Sequence, residues 1–181
     1  MTIRSALLIV ATAGLAACGA SKDDNATRNV AATPARPAAA KGTLADGLGK
    51  SENARFDAAV KAAGMAPVFK GPGPYTVFVP TDAALAGQGN VSDKSALTKL
   101  ISAHVLPGTI LAEDIGHAID ANHGKALLKT MAGDTLTATR EGDRIKLASP
   151  GGGTATITAG NEVYGNGVIH HVDAVLAPGG K

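Results

Sequence analysis

Apolar positions along this chain recur at two periods, and the switch between them divides its folded part in two. In the first half the spacing is helical. Phe56, Ala59, Val60 and Ala63 fall on one face, with Gly64 placed as a C-cap. Thr43-Leu44-Ala45-Asp46 has the spacing of a capping box, Asp standing in for the longer Glu. Leu97, Leu100, Ile101 and His104 share one face of a further helix that Ser92 is placed to cap. One strand interrupts this helical half, with Tyr75, Val77 and Val79 on one face and Thr76 and Phe78 on the other. Pro80 ends its ladder for want of an N–H. Thr81 or Asp82 then offers a side-chain oxygen to the free N–H groups of a short helix through Ala83, Ala84 and Leu85.

In the second half the period is two. Residues 127–131 turn at Ala132-Gly133-Asp134 into 135–140, and Glu141-Gly142-Asp143 leads into 144–148 as a hairpin. After Pro150-Gly151-Gly152-Gly153 comes a strand over 154–158. Asn166-Gly167 is a turn signal, since both residues tolerate positive φ. The strand that follows sets Val168, His170, Val172 and Ala174 on one face and Ile169, His171, Asp173 and Val175 on the other. Residues 110–121, between the halves, predict only a short strand edge and a helical turn. Helices first and strands later argue for an α+β fold rather than alternating βαβ units.

The amino terminus follows neither period. Arg4 supplies a positive charge ahead of an apolar run from Ala6 to Ala17, which is too short to span a bilayer and reads as a signal peptide. Leu15-Ala16-Ala17-Cys18 resembles the lipobox of bacterial lipoproteins, in which the cysteine is acylated and becomes the mature amino terminus. An ordinary signal peptide cleaved after Ala17 would instead leave a lone thiol, which is awkward in a secreted protein. Residues 1–17 are thus expected to be a lipoprotein signal peptide, and 18–41, rich in Ala, Pro and charge, an acylated cysteine and flexible tether. Residues 42–181 form one domain. Fully extended, such a tether reaches about 80 Å. Gly19 rather than Asp after the cysteine implies, by resemblance to Gram-negative lipoproteins, an outer-membrane location in the cell envelope.

Charge removes one class of partner. The chain carries a net +2, and Arg4, Lys22, Arg28, Arg36 and Lys41 outnumber Asp23 and Asp24 before residue 42. The domain is therefore nearly neutral, with no basic face for nucleic acid. Three Phe, two Tyr and no Trp make a stacking platform for sugars or bases a poor expectation. Without a second cysteine there is no internal disulfide.

Residue chemistry points to no reaction. His170 and His171 are adjacent on a strand, point to opposite faces and so cannot chelate one ion together. No Cys or Glu stands at a metal-ligand spacing beside any histidine. There is no Gly-x-Ser-x-Gly, and the triple glycine is followed by neither Lys-Ser/Thr nor a helix. Thr81, Asp82 and His104 or His170 serve better as a cap and a buried polar network than as a hydrolase cluster. No catalytic residue, metal or cofactor is expected.

Five elements in order resemble the fasciclin domain: the leading helices, Tyr75 to Leu85, His104-Val105-Leu106-Pro107-Gly108, Gly133-Asp134-Thr135-Leu136, and Asn166 to Leu176. The resemblance implies a wedge of two β-sheets with helices packed at one side. Thr81, Asp82, His104, Asn166, Gly167, His170 and Asp173 fall in its motifs and are expected to be structural. It also implies a non-enzymatic, envelope-anchored module for adhesion or for binding an extracellular or periplasmic protein or matrix partner. The alternative, implied by carotenoid-binding members, is a binder of an apolar small ligand in a groove of the domain. Three departures stand out. Ala103 replaces a Tyr, Asn161 and Glu162 replace the Asp-Ile pair of integrin-binding animal members, and His171 stands where Val is usual. The first two remove side chains assigned to integrin, so that partner is not implied.

Overall fold

The computed structural model describes residues 39–40, 42–87 and 93–179. Cys18, with the expected signal peptide and most of the tether, lies outside the described residues, as does the Ser92 cap. No helix among the described residues is long and apolar enough to cross a membrane.

The helical half holds α1 (Leu44–Leu48), α2 (Ala54–Ala63), α3 (Ala66–Lys70), α4 (Asp82–Ala86) and α5 (Lys94–Ala103). Gly64 closes α2 in the left-handed region at φ 75°, which costs glycine nothing. Asp46 accepts from both the N–H and the hydroxyl of Thr43, at 2.7 and 3.0 Å, which holds its carboxyl below the usual range. Asp93 caps α5, accepting from the Ala96 N–H at 2.7 Å. His104 is the C-cap of α5, still in the right-handed region, and is buried along with Leu97, Leu100 and Ile101.

Seven strands follow the order β2-β1-β7-β6-β5-β4-β3: β1 (Tyr75–Pro80), β2 (Val105–Pro107), β3 (Lys125–Lys129), β4 (Thr135–Glu141), β5 (Arg144–Ala148), β6 (Thr154–Tyr164) and β7 (Gly167–Val172). β1 and β7 are parallel and every other pair is antiparallel. β6 makes the wedge. Its residues 154–156 pair with β5 and its residues 157–164 with β7, with register shifts at Ile157/Ala159 and Ala159/Glu162. Bulges of this kind bend a strand and raise its twist, so one strand serves two sheets.

Because β1 and β7 are central, both of their faces are buried. Val77 and Val79 enter a core with Leu44, Phe56, Val60, Phe69 and Ile101 under the helical layer. Phe78 enters a second core with Ile115, Ile119, Leu136, Leu147 and Leu176. Each fully buried side chain of this size contributes roughly 1.5–3 kcal/mol. Both cores draw only on residues 44–176, so the domain holds its packing within itself.

β1 ends at Pro80, opposite Val172, as the sequence predicts, and one further bond follows it, the Thr81 N–H donating to Val172 O at 3.1 Å. Three local expectations are corrected. Residues 110–121 contain a full ten-residue helix, α6 (Ala112–Ala121), whose Ile115 and Ile119 plug the second core. β6 runs on to Tyr164 through its bulges. β3 begins and ends two residues earlier than the apolar pattern suggests.

Candidate functional site

The two signature segments lie side by side, Tyr75 opposite Gly167 through Pro80 opposite Val172. Asn166 locks the open end of this pair. It keeps a negative φ, and its amide, rather than its backbone tolerance, does the binding. Oδ1 accepts from the Leu44 N–H at 2.7 Å, and Nδ2 donates to Phe69 O and Gly71 O, both at 2.9 Å. Its own carbonyl accepts from the Tyr75 N–H at 3.1 Å. One side chain thus ties α1, the end of α3 and the sheet together. Gly167 is required by closeness: a Cβ there would collide with Tyr75 O and meet Leu44 Cδ1 at 2.7 Å.

His104 is fully buried. Leu100 O can only accept, so Nδ1 donates to it at 2.8 Å, and Nε2 accepts from the Leu176 N–H at 3.0 Å. The geometry therefore fixes one neutral tautomer. Burial pushes its pKa down to about 4, only partly opposed by the Leu100 contact. Phe56 packs edge-on against the ring, with centroids 6.0 Å apart.

His170 is held the same way with the nitrogens exchanged. Nε2 donates to Ile110 O at 2.8 Å, and Nδ1 accepts from the Asn161 N–H at 3.2 Å. The ring stacks on Phe78 at 5.5 Å, and burial lowers its pKa. Asn161 sits in the left-handed region (φ 66°) at the β6 bulge. Its Oδ1 caps α6 at the Ala112 N–H (2.8 Å), and its Nδ2 donates to Glu113 (2.6 Å). Asp173 closes the far end of β7, accepting from the Thr156 N–H at 2.7 Å.

The Thr81–Asp82 corner divides its work. Thr81 Oγ1 accepts from the Ala84 N–H at 3.3 Å and caps α4, whereas Asp82 Oδ1 accepts from the Arg55 N–H at 3.1 Å and anchors the start of α2. Thr81→Ala and Asp82→Ala are each expected to lower stability by about 1 kcal/mol. Thermal melts that move for neither variant would contradict this.

One cluster escaped the sequence reading because its members are far apart in the chain. Glu52, Glu162 and His171 bring potential ligand atoms within 4.8 Å of one another. Glu162 accepts from Lys50 Nζ at 2.8 Å and from the Tyr164 hydroxyl at 3.0 Å, and lies 3.1 Å from His171 Nε2. Lys50 also reaches Glu52 at 3.9 Å. Burial pushes the Glu162 carboxyl up, but these three contacts outweigh it and leave it below its ordinary range. The Lys50 ammonium, raised chiefly by Glu162, already supplies the positive charge that a bound cation would bring. His171→Val leaves Lys50 and Tyr164 on Glu162, so stability is expected to stay within about 0.5 kcal/mol of the parent. Added zinc is expected to leave the melting temperature unchanged. A rise with zinc that disappears in His171→Val would overturn this.

The arrangement is a single α+β module whose motif side chains bond chiefly to backbone groups. The fasciclin domain family model matches residues 52–178, and the chain belongs to the fasciclin-domain family. Protein sll1483 of Synechocystis sp. is 33% identical over 129 residues, covering 67% of this chain and 64% of its own length. Transforming growth factor-beta-induced protein ig-h3 of Sus scrofa is 31% identical across 67% of this chain and 17% of its own length. Stabilin-1 of Mus musculus is 30% identical across 80% and 6%. The chain therefore spans less than two thirds of each of these relatives. The FAS1 domain pair of the insect cell adhesion molecule fasciclin I shares the fold, with a TM-score of 0.58 at 20% identity over 70% of this chain and 45% of its own.

Proposed function

We propose that this chain is an envelope-anchored, non-enzymatic fasciclin module that acts by adhesion or protein–protein contact. The observation that carries this reading is how the motif residues are spent. Both nitrogens of His104 and of His170 are engaged, with Leu100, Leu176, Ile110 and Asn161 backbone groups. Thr81, Asp82 and Asp173 likewise accept from backbone N–H groups. These are the bonds of a scaffold that presents a surface. The relation to an insect cell adhesion molecule supports the same class.

In this reading residues 1–17 are removed, Cys18 is acylated, residues 18–41 form the tether, and the domain meets a protein or matrix partner from the outer membrane. Cys18→Ser tests the anchor: the protein is expected to leave the membrane fraction or remain unprocessed, and unchanged fractionation would refute it. Beads coated with the domain test the adhesion, by retention on the host's own cells against uncoated beads.

The apolar-ligand alternative has a less suitable cavity. A hollow of about 270 Å³ between α1, α2 and α3 has Leu48, Val60 and Phe69 in its lining, but Asp46, Asp57 and Lys61 also line it. That falls short of the roughly 300–1,000 Å³ of drug-sized ligand sites, and a second hollow of about 490 Å³ beside residues 125–128, though within that range, lies open to solvent rather than enclosing a ligand. A coloured or lipid-bearing organic extract of the purified protein would restore the alternative.

A further inference from the structure

Two large apolar side chains stand exposed among the described residues, Leu127 at 73% and Met131 at 43%. Both lie on or just beyond β3, the last strand in the sheet order. The strand alternates strictly, with Ala126 and Leu128 buried and Lys125, Leu127 and Lys129 outward. Their neighbours on β4 are hydroxyls: Thr139, Thr137 and Thr135 stand opposite Lys125, Leu127 and Lys129. Among the described residues neither lysine is in a salt bridge. Asp120, on neighbouring α6, is already clasped by Arg140 at 2.9 and 3.2 Å. Beside the strand lies an open hollow of about 490 Å³, walled by Ala118 and Asn122 of the α6 end and by residues 125–128.

Lysines on an outer strand have an ordinary use, which is to discourage edge-to-edge pairing. That use explains Lys125 and Lys129. It does not explain a leucine set out between them, or a methionine just past them. Apolar side chains flanked by uncompensated positive charge match the two layers of an anionic membrane surface, phosphates outside and acyl chains beneath.

We propose that the β3 edge docks on an anionic phospholipid bilayer, with Leu127 and Met131 entering the interface and Lys125 and Lys129 resting on lipid phosphates. The proposal deepens the anchored-module reading and rests on it for placing a membrane within reach. Docking would hold the domain in one orientation and leave its other faces to the partner.

The test uses residues 39–181, which contain both cores and lack Cys18. The fragment is sedimented with vesicles of phosphatidylcholine alone and with vesicles containing one quarter phosphatidylglycerol. Binding is expected to favour the anionic vesicles and to weaken in high salt. It should fall at least about tenfold in the double variant Lys125→Glu/Lys129→Glu. Leu127→Ser is also expected to weaken it severalfold, and the exposed positions should leave the melting temperatures unchanged. Equal or absent sedimentation with both vesicle types, or variants that bind like the parent, would overturn the proposal. Retention on an acidic polysaccharide without vesicle binding would also overturn it and assign the lysines to a glycan. Because the fragment has no acylation site, this outcome is independent of the Cys18→Ser result.

Discussion

Asn166→Ala is expected to lower the unfolding free energy by about 3 kcal/mol, more than any cap variant of this domain. The amide makes three hydrogen bonds to backbone groups of other elements, the Leu44 N–H, Phe69 O and Gly71 O. Each group left without a partner costs roughly 1–3 kcal/mol when buried, and less where water can follow. These contacts are part-buried, which sets the total near the lower end of the summed range. Asn166→Asp separates the two halves of the amide. A carboxylate still accepts from the Leu44 N–H, but its second oxygen faces two carbonyl oxygens. Aspartate is therefore expected to be no better than alanine at neutral pH. Urea denaturation checks both variants, with a lower midpoint and an unchanged slope if the loss is one of stability alone. An Asn166→Asp protein as stable as the parent would show that Phe69 O and Gly71 O do not depend on the amide.

Asn166 also shows how far the sequence could be read. Its position before Gly167 marks a turn, and a turn is there, but of the two residues only Gly167 takes a positive φ, at 158°. The left-handed asparagine of this strand pair is Asn161, five positions earlier, beyond the 154–158 strand that the sequence predicts and inside β6. Local signals succeeded where the physics is local. Gly64 closes α2, the 144–148 strand has its expected bounds, and the faces of β1 separate into the two cores as Val77 and Val79 against Phe78. They failed where a partner lies far along the chain. Gly116 and His117 weaken α6 as a helix on paper, and its first N–H groups are met by Asp114 nearby and by Asn161 from β6. No window of sequence contains that second contact.

The same holds for the cluster at Glu162. Glu162 and His171, nine positions apart in the chain, face each other at 3.1 Å across β6 and β7, and a Val at 171 would leave that carboxylate oxygen without this partner. Lys50, joined to Glu162 at 2.8 Å, completes the cluster and links the turn after α1 to β6.

His104 carries the second large effect, and acid should reveal it. The folded protein holds the ring neutral at a pKa of about 4, whereas the unfolded chain restores the ordinary value near 6.5. Between these values the unfolded state binds the extra proton, so stability rises with pH across the window and is fully present above about 6.5. Taking the protein from pH 7 to pH 4 is thus expected to remove on the order of 3 kcal/mol through His104. His170, also lowered by burial, adds a loss of the same sign. The carboxylates held low, Asp46, Asp120 and Glu162, begin to lose stability only nearer and below their own range, so they do not account for the upper part of the limb. His104→Ala removes the titrating ring and leaves Leu100 O and the Leu176 N–H without it, at a cost of roughly 1–3 kcal/mol at pH 7. It should also flatten the decline between pH 6.5 and 4, because less remains to protonate. Denaturation midpoints for parent and variant at pH 7.5, 6 and 5 measure both effects. A variant as stable as the parent at pH 7.5, or one whose midpoint falls just as steeply with acid, would show that the imidazole is not held by Leu100 and Leu176.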